Sequence, residues 1–289
     1  MATQHELGMS KPGFFQSVST FRAQIKKQFT VMKRYPVSFI TSFAMVFIIL
    51  MIFILAATLF TPKDATGDAG IKSAVIAGTM FYGFCLFMFV SDSFWTIGTS
   101  IRMEQYQGTL ESLFLTPANK LTDLVSRISI IVVWTGLNTL AALFLIDFVI
   151  ADIPLENVTE GLIVLILTLS GAFGIGFCMA GLGVYLKESS ELLANMLQFF
   201  LLILCAMFFP FSVLPDPILW ISRMIPLSYG VDLFRSTMMG FPSGYPELAS
   251  AQTEWFIVTI FGIFMPILGF LFFRWSVSRK RASTGLSDY

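Results

Sequence analysis

The sequence predicts an all-α integral membrane protein with six transmembrane helices, and three observations lead to this fold class. The 289 residues are 56% hydrophobic and only 12% charged, which is more apolar surface than a soluble domain of this size can bury. Apolar runs of about 20 residues, the length that crosses a bilayer as a helix, recur along the chain. Lysine and arginine are concentrated in alternate loops, as expected when successive helices cross in opposite directions.

Short polar or charged segments separate the six predicted spans. The spans cover residues 37–60, 71–98, 124–151, 161–186, 192–213 and 254–273. In the fourth span, Ala172, Gly176 and Ala180 recur at intervals of four, and small residues at that spacing let two helices approach closely. The three cysteines fall in apolar stretches and are predicted to be small core residues rather than a disulfide or metal set. They are Cys85, Cys178 and Cys205.

Residues 1–36 are predicted to form a cytoplasmic tail followed by an amphipathic interfacial helix. Apolar side chains recur there at steps of three and four: Phe14, Val18, Phe21, Ile25, Phe29 and Met32. Basic residues occupy the other faces, which is typical of a helix lying in the membrane surface against anionic head groups. A cytosolic helix packed on a partner would show the same pattern. The six-helix domain then covers residues 37–277, and a basic cytoplasmic tail covers 278–289.

The distribution of positive charge predicts the orientation of the chain. Of the 18 lysine and arginine residues, 14 lie on the side that carries both termini, and four lie on the other side. The positive-inside rule therefore places both termini in the cytoplasm of a multi-pass protein of the cell membrane. Residues 102–117 are then cytoplasmic, and residues 214–253 are external.

The polar interval 102–117 is predicted to be a short amphipathic helix. One face carries Met103, Tyr106, Leu110, Leu113 and Phe114 at helical spacing. Glu104, Gly108 and Glu111 share another face. Gly108 costs the helix roughly 1 kcal/mol relative to Ala, which indicates that something packs close to the backbone. The segment is therefore a candidate docking element for a soluble partner, and a solvated interfacial loop is the alternative.

The long interval 214–253 is predicted to be a re-entrant helical hairpin before the last span. Residues 217–225 and 231–239 are apolar but too short to cross a bilayer. Asp216 is predicted as the N-cap of the first piece, Pro226 divides the two pieces, and Gly240 ends the second. Asp232 and Arg235 lie three residues apart and are predicted to pair on one helical face.

The fifth span contains a candidate gate. Asn195, Phe199 and Leu202 share a helical face, which Phe208 and Phe209 are predicted to continue. Two copies of the span meeting at a dimer axis would place amides, including Gln198, at the inner mouth and a phenyl plug near the outer one. Hydrophobic constrictions of this kind gate by dewetting. The alternative is that these rings face lipid or a neighbouring span.

The sequence lacks the motifs of a self-contained enzyme. It contains no Gly-x-x-x-x-Gly-Lys-Ser/Thr, no His-Glu-x-x-His and no Gly-x-Ser-x-Gly, so neither a nucleotide loop, a metal site nor a catalytic residue is expected. The intramembrane acids, Asp92 and Asp147, lie toward span ends, where water access lowers the cost of a charge. Asp92 is also a candidate partner for Arg127.

Two motifs resemble those of ABC-2-type exporter permeases. Glu104, Gly108, Thr109, Leu110 and Glu111, followed by Thr-Pro, resemble the family's coupling segment. The second motif resembles the stretch before the family's last span, and it contains Leu214, Pro215, Pro226, Leu227, Ser228, Tyr229, Asp232 and Arg235. The resemblance covers nearly the whole chain, and its Gly-Thr-Leu-Glu version is more similar to the drug-exporter branch than to the polysaccharide branch.

The resemblance implies the partners and the activity. Such a permease works with two separate ABC ATPase subunits, which bind ATP and Mg, and with a second permease copy, identical or related. Membrane lipids surround it, and no nucleic acid is involved. The Phe- and Met-rich interior favours a drug-like or lipid-like cargo. A glycan exporter, an ATP-independent transporter or channel, and a membrane scaffold are the alternatives, although the sequence shows neither the inverted repeats nor the midplane ionisable cluster of a secondary transporter.

Overall fold

The computed structural model describes residues 69–98, 132–144, 154–186 and 189–284 without interruption, together with scattered positions between 22 and 52. Within these ranges the regular secondary structure is entirely helical, and no strand is present. The all-α part of the predicted fold class is therefore confirmed. The predicted coupling segment 102–117 lies outside the described residues, as do most of residues 1–36 and the end of the basic tail.

Seven α-helices and one 3₁₀ turn make up the continuously described ranges. They are α1 (Ala69–Gly98), α2 (Val132–Phe144), α3 (Val158–Leu186), α4 (Ser189–Leu204), the 3₁₀ turn Phe211–Val213, α5 (Asp216–Met224), α6 (Pro226–Met238) and α7 (Ala251–Thr284).

Helices α1, α3 and α7 are long and apolar enough to cross a membrane, over Val75–Trp95, Val158–Gly183 and Ala251–Arg279. They correspond to the second, fourth and sixth predicted spans. Helix α2 lies inside the third predicted span, and the described positions between 37 and 52 are helical inside the first. The count of six spans remains a prediction.

The prediction that the fifth span continues to residue 213 is wrong. Helix α4 ends at Leu204 after 16 residues, and a turn with Ala206 at φ 46° follows it. The carbonyl oxygens of Ala206 and Phe209 accept hydrogen bonds from Arg235 of α6, at 2.6 and 3.2 Å. The chain leaves the helix because those carbonyl groups face a buried guanidinium instead of the next helical turn.

Helices α3 and α7 form the most extensive helix–helix contact of the described part. Their backbones meet where a Cβ added to Gly174 would strike the backbone of Met265, and where one added to Gly269 would strike the carbonyl of Gly174. The small residues predicted to permit close packing are all buried: Ala172, Gly176 and Ala180. The close approach to α7 uses another side of α3, at Gly171, Gly174 and Gly181, so the span does pack closely but not through the three predicted positions.

The three cysteines are free thiols. Cys85 and Cys205 are buried and Cys178 is half-buried. Cys85 belongs to the main hydrophobic cluster, in which aromatic rings of α1 pack against α4 and α6. This cluster places α6 at the centre of the described helices.

Candidate functional site

Two short helices follow α4, and Pro226 divides them as predicted. Helix α5 has nine residues and α6 has thirteen. Helix α6 begins at Pro226 rather than near 231, because proline is well suited to the first helical position. Asp216 is already helical, and Pro215 occupies the N-cap, so the predicted N-cap is wrong. Gly240 follows α6 with φ 73°, the left-handed conformation that ends a helix.

Helix α6 is polar in composition and yet almost completely buried. Ser228, Asp232, Arg235, Ser236 and Thr237 each have 0% of their surface exposed. Helices α1, α3 and α7 all contact it. A helix with this many buried polar groups is stable only if those groups find partners, so the contacts of its charged residues define the candidate site.

Arg235 holds the turn after α4. Its Nη2 donates to the carbonyl of Ala206 and its Nη1 to that of Phe209. The guanidinium passes Gly83 of α1, where an added Cβ would collide with Nη2. Burial lowers the pKa of Arg235 to about 10, against the opposing charge of Asp232, so the side chain remains a cation near neutral pH.

Asp232 holds the loop between α6 and α7. Its Oδ2 accepts the backbone N–H groups of Glu247 at 2.7 Å and Leu248 at 2.8 Å. Burial raises the pKa of Asp232, and both hydrogen bonds and the charge of Arg235 oppose that rise. The predicted direct pair with Arg235 is wrong. Within residues 189–284, the hydrogen bonds of these two side chains go to different backbone segments, which leaves only longer-range attraction between them.

The same loop is fastened at two further points. The Glu247 carboxylate accepts the N–H of Ser212 at 2.6 Å. The hydroxyl of Tyr245 shares a 2.7 Å hydrogen bond with Thr79 of α1, and burial raises the pKa of Tyr245 to about 12. The loop therefore joins α1, α6 and the 3₁₀ turn into one unit.

Tyr229, another predicted hairpin residue, fastens α6 to α5. Its hydroxyl donates to the carbonyl of Arg223 at 2.8 Å. With Pro226 at the start of α6, this contact fixes the joint between the two short helices. The four predicted hairpin residues thus share one helix but hold three different neighbouring segments.

The predicted gate residues do not share one face. Gln198 is engaged with α1, because its Nε2 donates to Ser91 at 2.8 Å and its Oε1 accepts from Trp95 at 2.9 Å. Phe208 is buried between Phe84 and Phe87 of α1, with ring centroids 5.5 and 5.3 Å away.

The remaining predicted gate residues lie elsewhere. Phe199 is 63% exposed, whereas Asn195 and Phe209 are half-buried. The predicted face breaks because α4 ends at Leu204, which turns Phe208 and Phe209 away from the line of Phe199.

A different face of α4 is exposed instead. It carries Leu192, Met196, Phe199, Phe200 and Ile203, with exposures between 46% and 63%. These positions fall on one side of a helix, and all are apolar. We call this surface the α4 face.

Glu254, which was not among the predicted site residues, lies fully buried in the first turn of α7. Its Oε1 accepts the N–H of Ala249 at 3.1 Å. A carboxylate at the edge of an otherwise uncharged apolar run was a visible signal, because a buried acid in such a place requires a specific partner.

The comparison with protein families agrees with this architecture. The family model for the ABC-2 type transporter matches residues 19–239, from the N-terminal segment through the end of α6. No curated protein matches the chain. The chain therefore belongs to the ABC-2 type transporter family and is a membrane transport component rather than a catalytic one. The matched range includes the predicted coupling segment, whereas Glu247 and Glu254 lie beyond it.

Proposed function

We propose that the chain is the permease subunit of an ATP-driven exporter of the cell membrane, with both termini in the cytoplasm. Two ABC ATPase subunits, carrying ATP and Mg, supply the energy, and a second permease copy completes the pathway. The cargo is apolar or amphiphilic, like a drug or a lipid, and leaves from the cytoplasm or the inner leaflet. Family membership supports the permease role, since permeases of this family typically work with ABC ATPases.

The α4 face is the observation that carries the choice of cargo. Its five exposed side chains are all apolar, so a molecule moving along it would meet no hydrogen-bonding partner there. Of the two amides of α4, that of Gln198 binds α1, and that of Asn195 is half-buried beside the face. A glycan would leave its hydroxyl groups unpaired on this surface at a cost of about 1–3 kcal/mol each. The α4 face therefore favours an apolar cargo over a polysaccharide.

The same face supports the pairing of two permeases. Large exposed phenyl rings on a helix of a transporter fit either lipid or a second apolar surface. Two α4 faces opposite each other would enclose an apolar path, and the buried polar helix α6 would close it at the end where α4 stops. An identical or a related second chain satisfies this geometry equally well.

The segment 102–117 is proposed to receive the motion of the ATPases. Closure of the ATPase dimer on ATP would push this helix and rearrange the spans on either side of it. Glu104 and Glu111 are proposed to bind a basic or polar groove of the ATPase, and Gly108, Thr109 and Leu110 to allow its close approach.

The coupling proposal is tested by reversing both charges with Glu104→Lys/Glu111→Lys. The permease is purified with its ATPase and reconstituted, and ATP-dependent uptake of a fluorescent lipophilic amine into inverted liposomes is measured. We expect transport to fall by roughly tenfold or more, which corresponds to about 1.4 kcal/mol of docking energy, while the yield of folded permease is unchanged.

The matched control is Glu160→Lys, because Glu160 is exposed at the start of α3 and is predicted to lie on the opposite side of the membrane. Equal ATP-driven transport in the double variant would remove the docking role. Uptake that proceeds without ATP would favour a secondary transporter or channel. An ATPase that co-purifies without any transport would favour a scaffold.

A further inference from the structure

The buried acids Asp232 and Glu254 each have one oxygen bound to backbone and one oxygen without a partner. Oδ2 of Asp232 accepts from Glu247 and Leu248, and Oε1 of Glu254 accepts from Ala249. Among the described residues, Oδ1 of Asp232 and Oε2 of Glu254 have no hydrogen-bond partner when both groups are ionised. Both residues have 0% of their surface exposed, so bulk water does not satisfy these oxygens.

The two carboxyl groups bind consecutive N–H groups of one loop, those of Glu247, Leu248 and Ala249, and their side chains interact with each other. Ionised carboxylates are acceptors only, so two of them in contact repel and leave both oxygens unsatisfied. A single proton between them removes the repulsion and satisfies both oxygens, because the protonated group donates a hydrogen bond to the ionised one. The pair then carries one negative charge, which the buried guanidinium of Arg235 balances.

We propose that Asp232 and Glu254 form a proton-binding site that holds one shared proton in the folded protein at neutral pH. The proton resides on Glu254, whose hydroxyl donates to Asp232. Asp232 accepts two backbone N–H groups and Glu254 only one, and each such bond stabilises the ionised form. The site goes beyond the transport function, since it joins α6, the following loop and α7 whatever the cargo.

Other titratable groups around the pair set its charge. The positive charge of Arg235 on α6 favours the ionised form, whereas the half-buried Glu247 of the loop opposes a second negative charge. Tyr229 interacts with Glu254, and Tyr245 and Cys205 interact with Arg235. A metal ion fits less well than a proton, because the described residues contain no group of three or more metal-binding side chains, and Arg235 already supplies a cation.

The site gives the stability of the protein a defined dependence on pH. In the folded protein, burial and the negative charge of Asp232 disfavour a second ionised carboxylate, so the shared proton is bound more tightly there than in the unfolded chain. Its stabilisation is complete below about pH 4, near the unfolded pKa of a carboxyl, and is lost as the pH rises through the folded-state pKa. The melting temperature should therefore fall with increasing pH until the shared proton leaves.

Infrared difference spectroscopy of the full-length protein in nanodiscs tests the site directly. We expect wild type at neutral pH to show the C=O band of a protonated carboxyl, and Glu254→Gln to lack it. The amide introduced by Glu254→Gln keeps both contacts, accepting from Ala249 and donating to Asp232. We therefore expect this variant to have the melting temperature of wild type at neutral pH and to lose the decline at alkaline pH. Glu160→Gln, an exposed control, should keep both the band and the decline.

Three results would overturn the proposal: absence of the protonated-carboxyl band in wild type, an unchanged band in Glu254→Gln, or an unchanged pH profile of melting in that variant. Wild type alone decides the first point, and Asp232→Asn provides a second neutral variant should Glu254→Gln fail to fold. If the melting temperature rises when sodium replaces choline at constant ionic strength, the two carboxylates bind a cation and not a proton.

Discussion

Helices α4 and α6 are separated only by the 3₁₀ turn and α5, and yet they differ in which side chains they bury. Helix α4 presents an apolar face, with Phe199 63% and Phe200 62% exposed. Helix α6 is shorter and more polar, and yet Asp232 and Arg235 are fully buried. In water this arrangement would be inverted. In a bilayer the lipid accepts the apolar face, and polar groups are stable only where protein supplies their partners.

The polar groups of α6 are stabilised mainly by backbone. The Ser236 hydroxyl donates to the carbonyl of Asp232 at 2.7 Å, and Arg235 and Asp232 bind the backbone of the preceding turn and the following loop. Helix α6 therefore anchors the turn after α4 and the loop before α7, neither of which has the regular hydrogen bonding of a helix. Truncating a polar side chain of α6 should therefore destabilise those segments. Truncating an exposed side chain of α4 should remove only exposed apolar surface.

The largest expected effect belongs to Arg235→Ala. This change removes the donor to the carbonyl of Phe209 and the shorter of the two hydrogen bonds to the carbonyl of Ala206. It also leaves the charge of Asp232 unbalanced, so the free energy of unfolding should fall by about 3–5 kcal/mol. Chemical unfolding of the detergent-solubilised protein measures it. The free energy of unfolding of Arg235→Lys should lie between those of wild type and Arg235→Ala. A lysine keeps the charge, but its ammonium cannot reproduce the bidentate contact of a guanidinium.

The double variant Asp232→Ala/Arg235→Ala distinguishes separate fastenings from a pair. Because the two side chains hold different backbone segments, the double variant should be at least as unstable as Arg235→Ala, since the N–H groups of Glu247 and Leu248 also lose their acceptor. If the double variant is instead more stable than Arg235→Ala, the two side chains form the direct pair that their spacing of three residues suggested.

Phe208 and Phe199 provide the second test, with one ring buried in the turn after α4 and the other exposed on the α4 face. Phe208→Ala removes a buried ring between Phe84 and Phe87 and should cost about 3–5 kcal/mol, whereas Phe199→Ala on the α4 face should change stability by about 0.5 kcal/mol or less. Thermal melting in detergent measures both.

Ion leakage from liposomes separates packing from gating at the two rings that follow α4. If Phe208 serves chiefly to pack α4 against α1, Phe208→Ala/Phe209→Ala lowers the melting temperature. If the rings form the plug predicted from the sequence, that variant leaks small ions without ATP while its stability stays near that of wild type.

The long helices were predictable because length and hydropathy act locally. The predicted spans 71–98 and 161–186 correspond to Ala69–Gly98 and Val158–Leu186, and Pro226 divides α5 from α6 as its chemistry requires. The end of α4 was not predictable in the same way. Residues 205–213 are as apolar as those before them, and the chain turns because of Arg235, about thirty residues further on.

The sequence predicted several residues of the candidate site but not their hydrogen-bond partners. Pro226, Tyr229, Asp232 and Arg235 belong to one helix, of which the sequence predicted only the part from residue 231 onward. Their partners are backbone groups of distant segments, and no helical spacing encodes those. The charge of Glu254 was visible in the sequence, but its partner was not, because that contact follows from the approach of α7 to α6. The coupling segment 102–117 lies outside the described residues and stays a prediction.

The smallest expected changes in the free energy of unfolding come from Gly→Ala substitutions, which add one methyl group to a helix. For these variants the sign of the change is informative. In α6, a Cβ at Gly230 would lie 2.6 Å from both Cγ2 and Oγ1 of the fully buried Thr168. In α2, a Cβ at Gly136 would have Phe89 as its nearest neighbour, at 4.0 Å. Gly230→Ala should therefore lose about 1–3 kcal/mol to over-packing, reduced by the roughly 1 kcal/mol that alanine gains over glycine in a helix.

Gly136→Ala meets no such obstacle, so it should keep that helical gain and raise the free energy of unfolding by up to about 1 kcal/mol. The two variants add the same group to two helices, and their unfolding curves in one detergent compare directly. Opposite signs would show that α6 is held at interior packing density, as its fully buried polar groups require. A gain at both glycines would mean that Thr168 gives way, and that α6 is fastened by its hydrogen bonds rather than by close packing.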